Sequence, residues 1–140
     1  MVKAKVKWVE GLQFAGTSPS NHAILIDGRK EGGGADSAVH PKELLLLALG
    51  ACTGMDMISI LRKMRQEVDD FEIRIEAEEA GEHPKAYQKI KIVYCVKGRE
   101  IEEEKVRHAA ELSQTKYCSV AATLRSPLTI DYDFEVAKES

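Results

Sequence analysis

From Pro41 to Leu61 the chain is apolar with few interruptions, beginning Leu44-Leu45-Leu46-Leu47-Ala48-Leu49-Gly50-Ala51-Cys52. Proline fits the first turn of a helix, where its missing N–H costs nothing. Lys42 and Glu43 follow it, and Arg62, Lys63 and Arg65 lie where the negative end of the helix dipole favours cations. The segment therefore predicts one long helix that is apolar nearly all round. A helix of that kind is unsuited to a surface; it has to run through the middle of the structure, between two sheets or against a symmetry mate. Gly50, Gly54 and Asp56 interrupt the apolar run, which argues against a bilayer span.

Strands surround this helix in the sequence. Val2, Ala4, Val6 and Trp8 alternate with Lys3, Lys5 and Lys7, the period-2 pattern of a half-buried strand. A short strand around Leu12 to Ala15 is expected to pair with Ala23–Ile26 across Ser18-Pro19-Ser20-Asn21. Gly32-Gly33-Gly34 lacks the Gly-Lys-Ser/Thr that completes a phosphate-binding loop and reads as a plain loop. Beyond the helix, Phe71, Ile73, Ile75 and Ala77 alternate with Glu72, Arg74, Glu76 and Glu78. Ile90, Ile92, Tyr94 and Val96 alternate in turn with residues that include Lys89, Lys91 and Lys97, and the opposite outer charges favour antiparallel pairing of the two strands. A charged helix from about Glu100 to Ser113, a short one near Ser119 to Leu124, and a last strand with Ile130, Tyr132, Phe134 and Val136 facing inward complete the order. The class is α+β, one domain over residues 1–140, with no internal repeat and no linker.

A net charge of −3, from 20 basic and 23 acidic residues, provides no basic face for nucleic acid. The N-terminal stretch lacks the continuous apolar segment of a signal peptide, so a cytoplasmic protein is expected, with no membrane partner. In that reducing compartment a permanent disulfide is not expected. Of the three cysteines, Cys95 lies in a strand pattern and reads as core. Cys52, in the apolar helix, and Cys118, just ahead of the short helix, form no Cys-x-x-Cys or metal-ligand spacing, so any shared chemistry must be assembled by the fold. His22, His40, His83 and His108 are scattered, with no pair spaced to bind zinc; neither a metal nor a cofactor is expected. Met55, Met57 and Met64 read as core packing that would also suit an alkyl pocket. Glu102-Glu103-Glu104 reads as a solvated face near a helix start.

Three segments together carry a family resemblance: Lys7-Trp8-Val9-Glu10-Gly11-Leu12; Pro41-Lys42-Glu43-Leu44-Leu45 running to Gly50-Ala51-Cys52-Thr53-Gly54; and Lys116-Tyr117-Cys118-Ser119-Val120. Over essentially the whole chain the sequence resembles the OsmC/Ohr superfamily, closest to its YhfA-like branch. The resemblance implies antiparallel sheets around a long central apolar helix, in an intertwined homodimer. It also implies a thiol peroxidase for organic hydroperoxides, with Cys52 attacking the peroxide, Cys118 resolving the sulfenic acid, and a cellular dithiol as reductant.

The chain departs from that family's peroxidases at two places. An arginine from the N-terminal sheet and a glutamate directly after the helix-opening proline support the reactive thiol there, whereas this chain carries Gly11-Leu12-Gln13-Phe14 and Lys42. Asp56, one turn past Cys52, would oppose a nearby thiolate. Whether Arg29, Lys42, Arg62 or Arg125 supplies the cation is left open by the sequence. Slow peroxidase chemistry is the expectation; the alternative is a small-molecule or thiol-binding module on the same dimeric scaffold.

Overall fold

The computed structural model describes residues 1–137 and is α+β, with two antiparallel sheets and a long helix. Strands β1 (Lys5–Glu10), β2 (Gln13–Thr17) and β3 (Ala23–Ile26) form a meander in that order. Gly11 makes the first turn with φ +52°, a conformation that disfavours side chains, and its carbonyl accepts the Trp8 indole N–H at 2.8 Å. This sheet leaves large apolar side chains uncovered, among them Val6, Trp8 and Leu25.

After β3 the chain folds over a buried carboxylate. Asp27 accepts the Ser37 hydroxyl at 2.6 Å and the backbone N–H groups of Gly28 and Ser37 at 2.7 and 3.0 Å. Gly34 packs directly on the backbone of Gly28, where a Cβ would collide with the Gly28 carbonyl. The glycine triplet is thus a tight loop, as its residues suggest.

Helix α1 spans Pro41–Lys63 and opens as expected, with Glu43 reaching back to the His40 N–H at 3.0 Å. Leu49, Thr53, Met57 and Leu61 make one buried stripe at i+4 spacing. The helix lies against the hairpin of β4 (Asp70–Glu79) and β5 (Tyr87–Lys97), where Gly50 and Gly54 allow close approach. A Cβ on Gly50 would stand 2.8 Å from Ile75 Cδ1, and one on Gly54 2.9 Å from Ile73 Cδ1. The hairpin is antiparallel with Glu76 opposite Lys91 and Glu78 opposite Lys89, the charge pairing its sequence favours. By length and composition alone α1 could cross a bilayer. Its middle turn, however, carries Thr53 and Asp56 hydrogen-bonded to other elements, as a packed core helix would.

Helix α2 (Glu103–Leu112) starts later than its charge pattern suggests, because the Gln66 side chain takes the Glu102 N–H at 2.8 Å and fixes the entry. A π-helical turn, Ser113–Tyr117, leads to helix α3 (Ser119–Arg125). The core has two parts. Met57, Leu61 and Ala109 gather Phe71, Tyr94 and Val106; Leu49, Cys118 and Ala121 gather Cys52, Ile90 and Ile92.

Two expectations differ from what one chain shows. Ile130, Tyr132, Phe134 and Val136 form no strand and are 74–94% exposed. Their alternation is genuine, but among the described residues no strand edge of the same chain lies alongside to pair with them. Helix α1 is likewise covered along only part of its circumference: Leu47 and Met55 are 61% and 72% exposed. They border a groove of about 920 Å³ between α1 and β4, whose walls include Leu46, Ile58, Phe71 and Ile73.

Candidate functional site

Cys52 and Asp56 sit one turn apart on α1, so their side chains leave the same helix face. Cys118 ends the π-helical turn and caps α3: its N–H donates to the Ser113 carbonyl at 2.8 Å, while its sulfur accepts the Ala121 N–H at 3.4 Å. These placements bring Cys52 Sγ, Cys118 Sγ and an Asp56 carboxylate oxygen within 4.8 Å of one another. Cys118 is buried and Cys52 half-buried, and all three cysteines of the chain are free thiols. Cys95 stands apart from the pair, on β5 opposite Glu72.

Burial pushes the Cys118 thiol above the usual thiol range. The Ala121 N–H partly offsets this, and the neighbouring Cys52 and Asp56 push it further up. The carboxylate that helical spacing sets beside Cys52 thus acts on Cys118.

Behind Asp56 runs a polar chain that sequence reading missed. Ser113 Oγ donates to Asp56 Oδ2 at 2.8 Å and lies 2.7 Å from Thr53 Oγ1; Thr53 Oγ1 lies 2.6 Å from the Tyr94 hydroxyl. The Gln114 amide donates to Thr53 and Tyr94 at 3.1 and 2.8 Å, and its own oxygen accepts from Arg125 at 2.9 Å. The two ends set the direction of every proton. Ser113 gives its proton to Asp56 and so accepts from Thr53, which in turn accepts from Tyr94. The series ends on Asp56, whose Oδ2 accepts from Ser113. Nothing in the sequence marks this set: Thr53, Tyr94, Ser113, Gln114 and Arg125 come from four elements, and their types are common in surface positions.

The cations considered from sequence have other places. Lys42 Nζ is 2.7 Å from Glu79 and 4.8 Å above the Tyr87 ring, with Arg29 close enough to act on the same glutamate. Arg62 borders the α1/β4 groove, and Arg125 holds the Gln114 carbonyl and side chain. Met55 lines that groove, whereas Met57 is fully buried in the core. Neither thiol borders the groove. A smaller cleft of about 250 Å³ between α3 and β5, lined by Leu49, Ile90, Ile92, Ala121 and Leu124, adjoins the cluster that holds them.

The fold, with a long helix laid on a hairpin beside a second antiparallel sheet, is shared with known proteins. The family model described as OsmC-like protein matches residues 33–133. Protein YhfA of Escherichia coli strain K12 is 42% identical over 135 residues, covering 96% of this chain and 98% of its own. The chain belongs to the OsmC-like family. A crystal structure of a hypothetical protein from Aquifex aeolicus superposes with a TM-score of 0.77 at 32% identity, covering 89% of this chain and 87% of that one. An organic hydroperoxide resistance protein from Legionella pneumophila shares the fold at 13% identity, with a TM-score of 0.66 and 89% of each chain covered.

Proposed function

We propose that this protein is a thiol peroxidase that reduces organic hydroperoxides through Cys52 and Cys118. The observation that carries the reading is the approach of the two sulfurs to within 4.8 Å in an OsmC-like chain, from positions far apart in sequence. The Cys52 thiolate attacks the O–O bond, and an alkoxide leaves and takes a proton as the alcohol. Cys52 is left as sulfenic acid. Cys118 then attacks that sulfur, water departs, and the resulting disulfide is reopened by exchange with a cellular dithiol. The half-buried Cys52 admits substrate, and in the adjoining cleft Leu49, Ile90, Ile92 and Leu124 would meet an alkyl part while Lys89, Gln114 and Arg125 would meet a polar one.

The working form is a homodimer. Leu47, Met55, Trp8 and the alternating Ile130, Tyr132, Phe134 and Val136 expose more apolar surface than a stable monomer keeps, and a second copy would cover it. Sedimentation equilibrium at micromolar concentration should give twice the chain mass. A cytoplasmic location fits a dithiol that must be kept reduced.

Substitution separates the roles. Cys52→Ser should abolish consumption of an alkyl hydroperoxide, Cys118→Ser should leave a trappable sulfenic acid on Cys52, and Cys95→Ser should change neither. Retained turnover in Cys52→Ser would overturn the assignment. One observation favours the binding-module reading: among the described residues no basic side chain pairs with Asp56 or counts among the groups acting on the Cys118 thiol. Absence of turnover with every hydroperoxide tried would establish that alternative as the better one.

A further inference from the structure

Two thiols and a carboxylate converge at one place in the fold, so the reduced site collects three potential anions within 4.8 Å. Three cations have partners elsewhere: Lys42 is held by Glu79, about three turns of helix from Cys52, Arg125 by Gln114, and Lys116 lies over the Tyr117 ring. We propose that the reduced site binds one thiophilic divalent cation, of which zinc is the prototype, through Cys52 Sγ, Cys118 Sγ and an Asp56 carboxylate oxygen. A fourth position remains open to water.

Distance favours this binding. Tetrahedral zinc with bonds of about 2.3 Å to sulfur and about 2.0 Å to oxygen sets two sulfurs roughly 3.8 Å apart and each sulfur roughly 3.5 Å from the oxygen, so closing from the 4.8 Å limit asks for about 1.3 Å at most. A disulfide of about 2.05 Å requires the sulfurs to close at least about twice as far from the same starting limit. The cation is thus the smaller rearrangement of the same cluster.

The surroundings of the three donors are those that metal ligands require. Ser113 fixes one Asp56 oxygen at 2.8 Å and leaves the other free, while the Ala121 N–H points at the Cys118 sulfur. Two of the three donors ride on one helix, a turn apart, so their spacing is set before any ion arrives. The scattered histidines, which argue against a metal when the sequence is read alone, have no part in the site. Binding exchanges two thiol protons for the ion, and it withholds both sulfurs from electrophiles for as long as the ion stays.

This inference uses the same sulfurs as the peroxidase reading but not their reaction, and its test involves no hydroperoxide. Reduced full-length protein titrated with Co²⁺ should bind one ion per chain and show a sulfur-to-cobalt charge-transfer band that Zn²⁺ abolishes. Cys52→Ser and Cys118→Ser should each halve the band, Asp56→Asn should keep it but weaken binding about tenfold or more, and Cys95→Ser should change nothing. In wild type, Zn²⁺ should protect Cys52 and Cys118 from alkylation while Cys95 is modified at its usual rate, a readout that does not depend on any variant folding. The proposal is overturned if the reduced protein shows no charge-transfer band, if the band is indifferent to Cys118, if Asp56→Asn binds as tightly as wild type, or if Zn²⁺ protects no thiol.

Discussion

The Lys42 ammonium is held 2.7 Å from the Glu79 carboxylate and 2.6 Å from the Lys85 carbonyl, above the Tyr87 ring. It therefore ties the start of α1 to the far end of the hairpin, and a cation fixed there is not available to the thiols three turns further along the helix.

Lys42→Met should accordingly leave the rate of Cys52 alkylation unchanged at any fixed pH, while lowering the unfolding midpoint slightly through the lost pairing. Alkylation followed by mass spectrometry, beside urea unfolding, reads both. A large drop in Cys52 reactivity would show that Lys42 reaches the site after all.

Thr53 is fully buried and joins Ser113, Tyr94 and Gln114. Thr53→Val keeps the shape but removes a donor and two acceptor positions from a closed network. The expected loss is about 1–3 kcal/mol, the cost of leaving buried polar groups unpaired. Urea unfolding should show it as a lower midpoint with the same slope. A neutral result would mean that the network re-forms around water.

The three donors around Asp27, led by the Ser37 hydroxyl, hold its carboxyl down at about 2. A depressed value means that the ionised form is favoured by folding. The contribution is complete above the unfolded carboxyl range near 4 and is lost as pH falls through the folded value. The stability gap between wild type and Asp27→Asn should therefore be constant above about pH 5 and close progressively toward pH 2. A gap independent of pH would contradict the geometry.

Cys118 titrates in the opposite sense. Its thiol is pushed up by burial, so folding favours the protonated form, and that advantage is full below the ordinary thiol value of about 8.5 and lost as pH climbs through the raised one. Wild type should lose stability relative to Cys118→Ala as pH rises above 9. In a Cys52→Ser background, Cys118 should alkylate only at alkaline pH.

Local patterns carried most of the fold. Pro41 and the basic residues at the other end bracketed α1 to within two residues, and the opposite charges on the outer faces favoured the antiparallel pairing of β4 with β5. The pattern at Ile130 to Val136 was equally clear, but a strand exists only beside another strand, and sequence does not say whose. The site was half visible. Cysteines are few enough to be noticed, and Asp56 could be placed by helical spacing. The chain from Arg125 to Asp56 depends on which ends of five ordinary side chains meet across four elements, and that information resides in the packing.

Cys118 is both a sulfur of the site and the atom on which α3 begins, since the Ala121 amide donates to it. The seven-residue helix is therefore held at one end by that sulfur and at the other by Arg125, which grips Gln114. Leu124 and Tyr117, at and just before this helix, are among the exposed large side chains. One buried thiol is in this way also the fastening of a patch on the outside of the molecule.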